Sequence, residues 1–217
     1  MIGPALKLSL LVALPATLAV ACCGTLAGWA LARRRFMGRE LLDALLNLPL
    51  VLPPTVTGYY LIVLLGRNGL LGAPLGAATG IAIPFTWWAC VIAAGVMAFP
   101  LMVRAARVAF EEIDRRHELV AASMGYGGIA IFLRVSIPLA RRGLVAGVVL
   151  AFARAVGEFG ATLILAGNLP GRTQTLPLAI YEAVMTGEER TALLASLLLT
   201  AVSVVVMLLA GKLGRKR

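Results

Sequence analysis

The sequence predicts an all-α integral membrane protein: one domain over residues 1–217, with five transmembrane helices. Three observations predict it. The 217 residues are 60% hydrophobic and only 14% charged, where an ordinary soluble domain carries about 25% charge. The mean hydropathy is +0.94. Apolar runs near the length a bilayer requires, about 20 residues each, recur along the chain, and the arginine content of the loops between them alternates between rich and poor.

The first span is expected over residues 8–32, closed by Arg33, Arg34 and Arg35. It exceeds the apolar core of a secretory signal, about 7–15 residues, and is read as a retained helix. The amphipathic stretch "ELLDALLNL" (40–48) is expected to lie along the interface. It leads into a second span over 48–65 that contains Pro49, Pro53 and Pro54. Irregular backbone at membrane depth is tolerated only where it is buried in protein or lines a cavity. The third span is expected over 81–103, with Trp87 and Trp88 near its start, the fourth over 143–165 and the fifth over 192–213.

Cytoplasmic loops carry the excess of Lys and Arg. Residues 33–39 hold four arginines, 66–80 only Arg67, and 104–142 seven. The 167–191 loop holds Arg172 and Arg190, and the tail holds Lys212, Arg215, Lys216 and Arg217. This puts the N-terminus outside, the C-terminus in the cytoplasm and a cytoplasmic loop over 104–142. The net charge of +10 is thereby explained by topology, and no nucleic-acid partner is expected. Cys22, Cys23 and Cys90 sit in apolar runs and are read as small core residues rather than metal ligands or a disulfide.

Of the two outer loops, 68–80 is turn-rich and carries little chemistry. The other, containing "RTQTLPLAIYEAVMTG", predicts a short outer helix with Thr175 as N-cap, Pro177 in the first turn and Gly187 as its stop. Glu182, Glu188 and Glu189 are read as solvated surface.

The cytoplasmic stretch 110–143 reads as a short helix (110–122), a glycine turn at Gly125, Gly127 and Gly128, and a second apolar helix up to Pro138. From its residues alone it is equally a docking protrusion or a connector packed on its own bundle. Its motif is more specific. Glu118, Ala121, Ala122 and Gly125, with Pro138 thirteen positions further on in "VSIP", resemble the EAA loop of ABC-importer permeases. In that family the loop forms a coupling helix seated in a groove of the ATP-hydrolysing subunit. Leu119, Val120 and Ile137 depart from the usual residues, while the spacing is kept. "LPLVLPPTVTGYYLIVLLGRNGLLG" (48–72) and "FARAVGEFGATLILAGNLPGRTQTLPLAIY" (152–181) together are similar to the molybdate permease branch; sulfate permeases share the "GEFG" core.

The resemblance implies a type I ABC-importer permease bundle in a bacterial or archaeal cytoplasmic membrane. It implies a homodimer with one translocation path, two copies of a cytoplasmic ABC ATPase that bind ATP and Mg, and an external oxyanion-binding protein. It implies molybdate or tungstate as cargo, with sulfate or another oxyanion as the alternative. Consistently, no G-x-x-x-x-G-K-[S/T] phosphate loop occurs in the sequence. No cofactor is expected on this chain, and it is not expected to be an enzyme. Gly125 is expected to matter because a side chain would obstruct the turn or its close contact.

Arg154 and Glu158 lie within the expected fourth span. At 1.5 Å per residue Arg154 falls about 16 Å from the start of that span, where an unpaired charge costs about 2.5–3.5 kcal/mol. Four positions apart, the two can meet on one helix face. They read either as a structural ion pair or as part of an electropositive lining for a dianion. Small residues at Gly143, Gly147, Ala151 and Ala155, and at Ala153, Gly157 and Ala161, permit close helix contact. Thr55, Thr57 and Thr162 are candidate neutral groups along a path, or hydroxyls bonded to their own helices. Arg172 is a candidate docking or anion-attracting residue on the outer face, or a solvated loop charge.

Two other classes fit less well. A stand-alone secondary transporter needs no docking loop and usually has more spans or a repeat. For a membrane-embedded enzyme there is no HExxH or G-x-S-x-G motif, no Asp in any expected span, and one histidine, His117.

Overall fold

A computed structural model describes the backbone of residues 2–215 and the side chains of 2–208. Lys216 and Arg217, and the side chains of Lys212 and Arg215, on which the tail reading rests, lie outside the described residues. Among the described residues every regular element is helical. Four helical segments are long and apolar enough to cross a membrane, or five if one bent pair counts as a span.

Helix α1 (Ile2–Arg33) and α5 (Trp87–Glu111) form the core, packed through small residues. A Cβ added at Gly28 would lie 2.6 Å from Ala106 Cβ and 2.8 Å from the Arg107 backbone N. The row Gly143, Gly147, Ala151 and Ala155 faces inward: a Cβ at Gly143 would meet Ala109 Cβ at 2.4 Å, and Ala151 and Ala155 are buried. With little hydrophobic force between helices in lipid, such close approach supplies the packing.

The expected second span is not one helix. Helix α2 (Arg39–Val51) and α3 (Pro54–Leu65) meet at 116°. Proline drives the residue before it out of the helical region, and Leu52 (ψ 143°) and Pro53 (ψ 139°) are both extended. Pro49 is absorbed inside α2. After the short α4 (Gly72–Thr79), the third span begins at Trp87, later than expected. Gly80 (φ 71°) and Phe85 (φ 61°) turn the chain first, and the Thr86 hydroxyl then accepts from Ala89 N–H to start the helix. The same helix continues to Glu111, well past residue 103.

The expected loop 104–142 is correspondingly shorter. Between α5 and the helical run Gly128–Val156 only α6 (Arg115–Ser123) and its flanking turns project. That run comprises α7 (Gly128–Ile131), a π-helical turn (Phe132–Ser136) and α8 (Ile137–Val156). Pro138 therefore sits inside the run rather than at the end of a loop. A proline removes one i→i−4 bond; the preceding π turn, in which Ile137 N–H donates to Phe132 O, accommodates it.

The expected fourth span ends early. Helix α8 stops at Val156, Gly157–Phe159 are non-helical, and α9 (Gly160–Ala166) follows. Helix α10 (Leu176–Met185) is the short helix expected between the fourth and fifth spans, and α11 (Glu189–Arg215) follows it. Gly187, with φ 76°, turns the chain between them.

Candidate transport site and coupling protrusion

The two broken elements meet. Helix α3 packs directly on α9: a Cβ at Gly58 would lie 2.9 Å from Ala161 Cα, and one at Gly160 would lie 2.8 Å from Pro54 Cβ. Two half-helix starts are thus adjacent, with the Arg154–Glu158 pair beside the α9 start. Discontinuous helices of this kind at membrane depth are the places where backbone groups become available to a passing ion.

Arg154 Nη1 lies 2.6 Å from Glu158 Oε2. The pair spans the helix break, so the two side chains do not share one helix face as the spacing suggested. Glu158 has a second bond: its Oε1 accepts from Ala161 N–H at 2.7 Å. The carboxylate therefore also serves the exposed N–H groups at the start of α9, where negative charge is favoured. The two members differ in access, with side-chain exposure of 27% for Arg154 and 1% for Glu158.

The path threonines separate. Thr55 is exposed at the start of α3; Thr57 is buried, with its hydroxyl 3.5 Å from Pro53 O; Thr162 is buried in α9. Thr55 is the one of the three open to an incoming group.

Before α10, Arg172 is exposed in a tight loop where Leu169 O accepts from the N–H groups of Arg172, Thr173 and Gln174. The loop is fastened to α10 through Glu182, whose Oε2 accepts from Asn168 (2.9 Å) and from Gln174. Glu182 is thus a bonded anchor, correcting its reading as solvated surface. Thr175 does flank the start of α10, but its hydroxyl makes no cap bond; the first-turn N–H of Leu176 donates instead to Ser9 Oγ of α1, at 2.7 Å. A cap from so distant a residue left no local signal.

At the opposite end, Asp114 Oδ1 accepts from Arg116 N–H and starts α6. Helix α6 is sided: Ala121 is buried and Glu118 half-buried, while Leu119, Val120, Ala122 and Met124 are exposed. Gly125, past the helix end, has φ 86°, and a Cβ there would meet nothing within 4 Å. It is needed for its left-handed backbone, and no atom of this chain would obstruct a side chain there.

Sequence reading missed several polar ties. Arg104 Nε donates to Asn47 Oδ1 (2.6 Å), and Arg107 Nη1 lies 2.7 Å from Asp43 Oδ2, together binding α2 to α5. Arg33, seen in sequence only as part of a topological charge cluster, donates from Nε to Glu118 Oε1 (3.1 Å), and Ser136 Oγ donates to the same oxygen (2.8 Å). The amphipathic pattern of α2 could have flagged the first group; nothing local could have flagged the second.

Residues 24–217 match the family model described as binding-protein-dependent transport system inner membrane component. The chain is 43% identical over 198 residues to the molybdenum transport system permease protein of Escherichia coli strain K12, covering 89% of this chain and 86% of that one. It is 41% identical over 214 residues to the corresponding protein of Haemophilus influenzae, covering 98% and 93%. Its fold is similar to a chain of the inward-facing methionine ABC transporter MetNI, with TM-score 0.77 at 17% identity, covering 100% of this chain and 97% of that one. An all-helical fold with broken inner helices, a projecting α6 and a family match over nearly its full length lead to one conclusion: the chain belongs to the binding-protein-dependent transport system inner membrane component family, the permease subunits of ABC importers.

Proposed function

We propose that this chain is the permease subunit of an ATP-driven importer of molybdate and the near-isosteric tungstate. The observation that carries the reading is identity above 40% to two molybdenum permeases over most of the chain. Two copies enclose one path in a multi-pass bacterial or archaeal cytoplasmic membrane, with the N-terminus outside and the C-terminus in the cytoplasm. An external oxyanion-binding protein delivers the cargo near the Arg172 loop. Two ABC ATPase subunits, which hold ATP and Mg, dock on α6; this chain binds no cofactor.

The chemistry of the site supports transport rather than retention. A dianion held by an uncompensated arginine deep in a low-dielectric site would be slow to leave, because Coulomb attraction there is strong. Glu158 lies 2.6 Å from Arg154 and offsets most of its charge. The cargo then meets one partly exposed, largely neutralised guanidinium, the Thr55 hydroxyl and neutral backbone donors. Exposed Leu119, Val120 and Met124 on α6 give an apolar face of the kind a partner groove covers. Closure of the ATPase pair on ATP draws the two α6 helices together and opens the dimer outward; hydrolysis reverses it.

The test is uptake of labelled molybdate by cells with and without this gene, with unlabelled tungstate and sulfate as competitors. Gene-dependent uptake competed by tungstate and barely by sulfate supports the proposal. Equal competition by sulfate moves the assignment to a broader oxyanion permease, and unchanged uptake removes the cargo.

A further inference from the structure

Glu118 is the acidic residue of the projecting helix, and it points inward. Both Arg33 Nε and Ser136 Oγ donate to its Oε1, at 3.1 and 2.8 Å. Arg33 also donates from Nη2 to Ile113 O at 3.1 Å, in the turn that leads into α6. Four pieces of chain thus converge on one carboxylate oxygen and one guanidinium: the end of α1, the turn after α5, α6 itself and the π turn before α8.

The surroundings make this a built junction. The side chains of Arg33 and Glu118 are 9% and 19% exposed, and Ser136 is buried. Within the same π turn, Phe132 packs edge-on against Trp29 of α1 (centroids 5.1 Å apart) and lies 6.1 Å from Phe110 of α5. Such π turns often mark functional positions in helices. Were Glu118 to turn outward toward a partner, Arg33 would keep its buried charge without a counter-ion and Ser136 would lose the acceptor for its buried hydroxyl. Both losses are costly.

We infer that Arg33 and Ser136 are positioning residues that clamp α6 through Glu118, so that displacement of α6 is passed to α1 and α8 and Glu118 serves this chain's own bundle rather than the ATPase surface. The inference rests on the proposed docking of an ATPase on α6. Helix α8 carries Arg154 at its other end, so the clamp joins the docking helix to the candidate transport site by one continuous helical run. The partner meets the outward face of α6, at Leu119, Val120 and Met124, while the inward face holds on.

Two readouts test it. In the purified permease, hydrogen exchange of the α6 amides should speed up about tenfold in Arg33→Gln and in Ser136→Ala, the effect of losing one charge-assisted hydrogen bond. Adding Glu118→Gln to Arg33→Gln should add almost nothing, as expected for residues sharing one interaction. In proteoliposomes holding the full complex, molybdate moved per ATP hydrolysed should fall severalfold in Arg33→Gln while the ATPase subunit still copurifies. Unchanged exchange in Arg33→Gln, or fully additive effects of the two substitutions, would overturn the clamp, as would loss of the ATPase from Arg33→Gln. If Arg33→Gln fails to fold, Ser136→Ala paired with Glu118→Gln carries the same cycle. Failure of the wild-type complex to move molybdate while the exchange cycle holds would remove the cargo reading and leave the clamp.

Discussion

Arg154 and Glu158 form an ion pair across a helix break, with the glutamate buried and the arginine partly open. The carboxylate answers to two groups, the guanidinium and Ala161 N–H. Glu158→Ala removes both at once and leaves a cation without its partner at membrane depth. The expected destabilisation is about 3–5 kcal/mol, the cost of breaking a buried pair, read as a loss of thermal stability in detergent. Glu158→Gln keeps an acceptor for Ala161 and should lose clearly less. Equal losses in the two variants would show that the Ala161 bond contributes nothing.

Gly28 and Gly95 offer a paired test of helix packing. A methyl at Gly28 would sit 2.8 Å from the Arg107 backbone N, which cannot move aside alone, whereas at Gly95 the nearest atom is Val20 Cγ2 at 3.7 Å. Gly28→Ala should therefore destabilise by about 1–3 kcal/mol as overpacking. Gly95→Ala should be neutral or mildly stabilising. Melting temperatures of the two variants check it.

Gly125 should rank substitutions by backbone preference instead of size. Its φ of 86° is costly for L residues, and open space surrounds the missing Cβ. Asn, which visits the left-handed region most readily, should be tolerated best, Ala should cost about 1 kcal/mol, and β-branched Val more. Recovery of the ATPase partner with each variant should follow that order. A ranking by volume alone would point to a steric contact with the partner.

Ser9 caps α10 across the fold, supplying the acceptor for the buried N–H of Leu176. Ser9→Ala leaves that N–H unsatisfied and should cost about 1–3 kcal/mol. Hydrogen exchange at Leu176 and its neighbours should speed up, with α6 unaffected.

Asn47 holds Arg104 of α5 to α2 through a 2.6 Å bond. Asn47→Leu keeps bulk but removes that acceptor and the amide that donates to Asp43 O and Oδ1 within α2. Exchange of the α2 amides should rise at least about tenfold, the effect of losing the hydrogen bond to the charged group alone, while α5, packed on α1 and α8, stays protected.

The sequence by itself determined the class of the protein. Its apolar runs exceed what a soluble core uses, and its arginines alternate from loop to loop. It also marked the glutamate of the projecting helix and the glycine past its end, because their spacing is local, and the cost of charges at Arg154 and Glu158. Tertiary structure decided the rest. Leu52 and Pro53 turn the chain by 116°, and the chain leaves the helix at Gly157 after Val156. Prolines and glycines permit such breaks, but only a neighbouring element that satisfies or covers the freed backbone selects which of them bends. Ser9 and Leu176, Asn47 and Arg104, and Arg33 with Glu118 and Ser136 are joined across long sequence separations. Hydropathy and periodicity register what one helix turn presents to its surroundings; they carry no record of which distant side chain will answer a buried donor, and that pairing exists only once the helices have packed.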